Sequence, residues 1–146
     1  MLPTYADRNS QTKFNYDYKA PGKTKNELWT SARNYLAHAY GDSRSVFSVS
    51  DESDGILIGK GITNWNAGGY PSVSCSSQYN IKFAAKDGKA RLQLELLEGI
   101  APGSKCQWAW PSKRGYNEIV NDFNSIGSGL GEALNGQSTT SDFMDF

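Results

Sequence analysis

Residues 73–97, VSCSSQYNIKFAAKDGKARLQLELL, constrain this chain more than any other stretch. Lys86-Asp87-Gly88-Lys89 is a two-residue hairpin signal, and Asp-Gly suits a type I′ turn because both central residues tolerate positive φ. With Asp87 and Gly88 at the tip, the register follows. Ala85 faces Ala90, Phe83 faces Leu92, Ile81 faces Leu94 and Tyr79 faces Leu96. All of these pairs are apolar. The opposite face pairs Ala84 with Arg91, Lys82 with Gln93 and Asn80 with Glu95. A one-residue slip would turn the apolar set into water, so turn and pattern specify one antiparallel hairpin, wet on one face and covered on the other.

The remaining segments fit around that hairpin. Residues 12–20 alternate, with Phe14, Tyr16 and Tyr18 on one face of a half-buried strand. Pro21-Gly22 ends it. Thr24 and Glu27 form a capping box for a helix that runs to about residue 40 and ends at Gly41. Leu28, Trp29, Ala32, Tyr35, Leu36 and Ala39 make its apolar stripe. Residues 44–50 read as a strand, 51–55 as a turn and 55–63 as a returning strand. In that strand Ile56, Ile58 and Ile62 share one face, while Gly59 and Gly61 on the other suggest a bulge or sharp curvature. A second helix starts near Ser112, with Tyr116, Ile119, Val120, Phe123 and Ile126 at helical spacing. Gly127-Ser128-Gly129-Leu130-Gly131 has poor helix propensity, so fraying is expected there.

The order β-α-β-β-β-β-α, with one apolar face on the sheet and one stripe on each helix, predicts a two-layer α+β domain. A curved antiparallel sheet carries both helices on one face. Residues 1–11 read as a flexible lead-in, 12–135 as one domain and 136–146 as a disordered tail. A length of 146 residues suits a single core, and 12% aromatic content can fill it. Lysine plus arginine equals aspartate plus glutamate, at 15 each, which argues against a dedicated polyanion binder. No apolar run approaches the length of a membrane span, and the first eleven residues carry no signal-peptide core. The two cysteines admit two readings. Cys75 has the parity of the covered face, and Cys106 lies a short loop beyond the position opposite it. They are either a buried thiol beside an unrelated loop thiol, or one disulfide tying that loop to the hairpin base.

Several segments together resemble a known bacterial family. They are Lys19-Ala20-Pro21-Gly22-Lys23-Thr24-Lys25-Asn26-Glu27-Leu28 at the first helix start, Ile58-Gly59-Lys60-Gly61 in the third strand, and Tyr79-Asn80-Ile81-Lys82-Phe83-Ala84-Ala85-Lys86-Asp87-Gly88-Lys89 at the hairpin. In order and spacing, residues 12–98 resemble domain-of-unknown-function family 4468, which has a TBP-like fold. The resemblance implies that fold and the secreted or lipoprotein-like setting common among its members, hence an extracytoplasmic location. It brings no activity and no catalytic residues.

No motif carries a reaction. His38, the only histidine, lies off the helix stripe with no second ligand at metal spacing. Asp51, Glu52 and Asp54 do not make a calcium loop, because the twelfth position from Asp51 is Ile62 rather than glutamate. Residues 127–131 lack the ending of a phosphate loop, and no Gly-x-Ser-x-Gly elbow occurs. No cofactor is expected and no catalytic or metal residue is assigned. Trp65, Tyr70, Trp108 and Trp110 fall in loops flanking the hairpin. They either cap the ends of the core or form a recognition patch for a protein or small ligand. A non-enzymatic binding or accessory domain is the favoured reading. Nucleic-acid binding by analogy with the TBP fold is an alternative, opposed by the charge balance and the mixed signs expected on the open face. An enzyme without a histidine-based site is the other alternative, and no spacing supports it.

Overall fold

The computed structural model describes residues 11–40, 47–68, 73–102 and 104–135. Their order is β1 (Lys13–Lys19), α1 (Lys25–Tyr40), β2 (Phe47–Asp51), β3 (Ile56–Asn66), β4 (Ser74–Lys86), β5 (Lys89–Leu96) and α2 (Lys113–Leu134). The strands form one antiparallel sheet in the order β1-β5-β4-β3-β2, and both helices cover the same face. This is the predicted β-α-β-β-β-β-α layout. The lead-in before Gln11, the Gly41 cap, the start of the strand expected at residue 44, Tyr70 and the 136–146 tail lie outside the described residues.

The hairpin register is the one that the alternation dictates, from Tyr79 opposite Leu96 to Lys86 opposite Lys89. Its turn differs from the expected type. Gly88 has φ +80°, but no described non-glycine residue has positive φ, so Asp87 does not adopt the type I′ conformation. The tip is shaped by what it docks on. Asp87 Oδ1 accepts the Lys25 backbone N–H at 2.8 Å, Gly88 N–H donates to the Lys23 carbonyl, and Gly88 O accepts from Ala20 N–H. The hairpin tip therefore caps the first turn of α1 from outside, beside the Thr24–Glu27 capping box, whose two reciprocal bonds measure 3.0 and 3.1 Å.

In strand β3 the structure shows which face is covered and where the sheet's irregularity falls. Its covered face holds Leu57, Gly59, Gly61, Thr63 and Trp65, whereas Ile56 and Ile58 are half-buried and Ile62 is exposed on the other face. Shape decides this. A Cβ on Gly61 would sit 2.6 Å from Tyr79 Cζ, so the space above this glycine is already filled by the ring of a buried tyrosine. The β3–β4 pairing also runs without a break from Ile56 to Asn66, and the irregularity falls in β2 between Phe47 and Val49.

Helix α2 does not fray at its glycines. It continues to Leu134 with Leu130 and Leu134 fully buried. A Cβ on Gly127 would lie 2.6 Å from the Tyr16 ring, and the Tyr18 hydroxyl donates to the Gly127 carbonyl at 2.7 Å. The side chains of β1 thus lie directly on the helix backbone. Tertiary contact outweighs the roughly 1 kcal/mol that each glycine costs a helix. Beneath this contact Phe123 packs on Phe14 and Tyr79, with ring centroids 5.5 and 4.7 Å away.

Candidate functional site

At the end of the sheet opposite the hairpin tip, the loop between β5 and α2 folds back on β3 and β4. Cys75 and Cys106 form a disulfide with their Cα atoms 5.3 Å apart, which decides between the two cysteine readings. Backbone bonds reinforce it: Gly99 N–H donates to Ala109 O at 2.8 Å, and Ser76 N–H to Ser104 Oγ at 3.0 Å. Trp65 is not in a loop as expected. It belongs to β3, is 2% exposed, faces Gly115 of α2, and donates its indole N–H to Ser77 Oγ at 3.0 Å. Trp108 lies on it, half-buried, with ring centroids 5.7 Å apart. Trp110 is also half-buried against the core, and its buried Nε1 finds no acceptor among the described residues. Two residues that sequence reasoning missed complete this end: Val73 is 39% exposed and Ile100 50% exposed. The signal for them was only their place beside the two loops. The structure thus joins Trp65 and Trp108, and packs Trp110 against the core.

The polar groups hold the fold together. A cleft of about 550 Å³ lies between β3 and α2, lined by Ile62, Thr63, Asn64, Glu118, Asp122 and their neighbours on the helix. Its carboxylates accept from the protein: Glu118 from the Asn66 backbone N–H at 2.7 Å and Asp122 from the Thr63 hydroxyl at 2.9 Å. Asp51 accepts from Ser53 Oγ and Asp54 N–H within its own turn, and these bonds hold its carboxyl below the usual carboxylate range. His38 is exposed on α1. Among the described residues no group of three or more His, Cys, Asp or Glu is placed to hold a metal ion. No described helix is long and apolar enough to cross a membrane.

The uncovered face divides into two halves. Across β1, β5 and β4 three polar pairs form. Arg91 makes a bidentate contact with Asp17 at 2.5 and 3.1 Å, Gln93 donates to Asn15 at 3.0 Å, and Asn80 reaches Glu95 at 3.5 Å. The Arg91 bonds lower the Asp17 pKa and raise that of Arg91. Across β3 and β2 the same face carries Ile56, Ile58, Ile62 and Val49, of which Val49 is 42% and Ile62 46% exposed. Lys82 stands beside Ile58, and Lys60 sits between Ile58 and Ile62.

A two-layer α+β domain of this topology is TBP-like. A family profile described as a domain of unknown function, DUF4468, with TBP-like fold matches residues 14–98, and the chain belongs to that family. The structure is similar to that of a DUF4468 family protein from Bacteroides ovatus, with a TM-score of 0.64 at 13% identity over 89% of this chain and 90% of that one. It is also similar to a TBP-like protein from Parabacteroides distasonis, with a TM-score of 0.58 at 9% identity over 86% of this chain and 96% of that one. No curated protein sequence matches the chain.

Proposed function

We propose that this DUF4468 domain is a non-enzymatic binding or accessory domain of a bacterial protein, acting outside the cytoplasm through its disulfide-closed end. One observation carries the reading. Half-exposed Trp108 and Trp110, with exposed Ile100, stand on a loop pinned by a disulfide and two backbone-directed bonds, and exposed Val73 immediately precedes β4 at the same end of the sheet. An apolar surface held rigid before contact loses little entropy on binding, and tryptophan is among the residues that dominate binding energy. Trp65 is the buried support of this surface, and Tyr70, the fourth residue expected in the patch, lies outside the described residues. The disulfide supports an oxidising compartment. The polar clusters being satisfied within the fold supports a role without catalysis. The partner is a protein or small ligand with an apolar or aromatic contact.

The test places a photo-activated cross-linking amino acid at Ile100 in the bacterium that encodes the chain. Adducts that disappear in Trp108→Ala or Val73→Ser, with Val73→Ser melting as the parent does, support the reading. If Trp108→Ala and Trp110→Ala both melt early and the Ile100 adducts never form, these residues only cap the core and the proposal fails.

A further inference from the structure

Strand β3 is longer than the strand beside it. Its pairing with β4 runs to Asn66, whereas β2 begins at Phe47, opposite Gly59. Among the described residues, β3 beyond Gly59 is therefore an edge of the sheet. The register fixes where its backbone groups point, because successive residues of a strand direct them to opposite edges. Gly55 O accepts from Ala85 N–H and Ala67 N–H donates to Val73 O, so the odd-numbered residues bond toward β4. The even-numbered residues bond outward: Ile58 O accepts from Ser48 Oγ of β2, and Asn66 N–H donates to Glu118. Ile62 and Asn64 lie between them. Their N–H and C=O groups point outward and have no backbone partner among the described residues.

This open edge is one wall of the cleft between β3 and α2, and Glu118, Asn121, Asp122 and Ser125 of the helix are the other. A groove between a strand edge and a second element suits an extended peptide, which adds as a strand through its main chain and is selected through its alternate side chains. Glu118 and Asp122 each give one oxygen to β3 and keep the other free among the described residues. No lysine or arginine lines the cleft. Lys60 projects from the uncovered face, and Arg114, one turn before Glu118, reaches toward Gly68. Ile62, 46% exposed, stands on the uncovered side of the same edge.

We infer that the β3 edge at Ile62 and Asn64 takes an extended segment of another protein in which lysine or arginine alternates with apolar residues. Side chains of an added strand point alternately to its two faces. Those on the helix side meet Glu118 and Asp122, and those on the other side lie beside Ile62. Complementary charge sets the phase. A metal ion is a poor occupant, because among the described residues no third metal-binding side chain joins the two carboxylates. A nucleic acid would bring phosphates to those carboxylates. The edge is separate from the disulfide-closed end, so either site stands or fails without the other.

The experiment selects short peptides from a displayed random library on the full chain, then follows amide hydrogen exchange by NMR with a synthetic copy of the enriched peptide. In the free chain the Ile62 and Asn64 amides should exchange fast. The enriched peptides should carry Lys or Arg at alternate positions with apolar residues between, and should slow exchange at Ile62 and Asn64. Methylating the peptide's backbone nitrogens at alternate positions should abolish binding in one of the two phases. Glu118→Gln with Asp122→Asn keeps an amide oxygen for each bond to β3; this variant should melt as the parent does and bind about tenfold more weakly or worse. If it melts early, the exchange map and the methylated peptides still decide. Slow exchange of both amides in the free chain overturns the inference, because the chain itself then occupies the edge. So do enrichment without alternating cations, protection confined to the disulfide-closed end, full binding by both methylated peptides, or no enrichment.

Discussion

The two faces of β3 share one backbone and have opposite roles. The covered face presents Leu57, two glycines, Thr63 and Trp65, all buried, and the uncovered face presents three isoleucines and a lysine. The more hydrophobic face is the one left outside. Burial here follows shape: Tyr79 needs the space above Gly61, Trp65 needs the space beside Gly115, and isoleucine at either place would collide. Aliphatic residues left on the wet face are then free to serve a contact, while the covered face carries stability. Substitutions can therefore be ranked by the face they touch.

The largest loss is expected at Phe83, fully buried on β4 opposite Leu57 and Leu92. Phe83→Ala should cost about 3–5 kcal/mol through the cavity it leaves. A urea melt showing less than about 1 kcal/mol would place Phe83 outside the core and break the assignment of the covered face. Next comes the disulfide, which closes a loop with a sequence separation of 31. A Cys75→Ser, Cys106→Ser variant should lose about 3–4 kcal/mol, mainly by enlarging the unfolded ensemble. Equal melting of oxidised and reduced protein would remove the pinning on which the proposed contact loop relies. Gly61→Val should cost about 1–3 kcal/mol by overpacking against Tyr79. The same exchange at exposed Lys60, one residue away but on the other face, should be close to neutral in the same melt.

That pair of substitutions also shows why β3 was hard to read. The β4–β5 register was legible because a two-residue turn fixes it and every facing pair on one side is apolar. Strand β3 enters from a longer turn at residues 52–55, which fixes no register, and its most apolar phase is the exposed one. Only the size of Tyr79 on the neighbouring strand selects the other phase, and a single strand's alternation does not contain that information. The glycines of α2 posed the same problem, since propensity opposes a helix that packing by Tyr16 and Tyr18 holds in place. Of the candidate site, Trp108 and Trp110 were legible as aromatics in a polar loop. Val73 and Ile100 were not, because exposure of an aliphatic is set by what the fold leaves uncovered.

A smaller effect is expected on the covered side at Tyr18. Burial, followed by the nearby Tyr16, Tyr35 and Asp17, pushes its phenol well above the usual tyrosine value. The hydroxyl must stay protonated to donate to Gly127 O. Its contribution is therefore intact below about pH 10 and is lost as the pH rises beyond that, because the unfolded chain gives up the proton first. Tyr18→Phe should cost about 0.5–1.5 kcal/mol at neutral pH and make the alkaline decline of the melting temperature shallower. An unchanged alkaline profile would mean that this phenol is not held by the helix.

The smallest effect is expected on the uncovered face, and it is the sharpest test of the comparison. Ile62→Ser removes a large aliphatic that is 46% exposed, and Val49→Ser removes one that is 42% exposed. Neither substitution opens a core cavity, and neither residue is among those packed against the core. Each should fall within about 0.5 kcal/mol of the parent, as surface substitutions do. Serine has a lower strand preference than isoleucine or valine, so a slight loss is the expected sign. Thermal melts of the two single variants and the double variant measure this directly. A loss of several kcal/mol in the double variant would mean that these side chains are packed against something within the folded chain, and Ile62 would no longer be available to a partner. Near-neutral melts would leave three isoleucines and a valine on a wet face without a structural reason for being there.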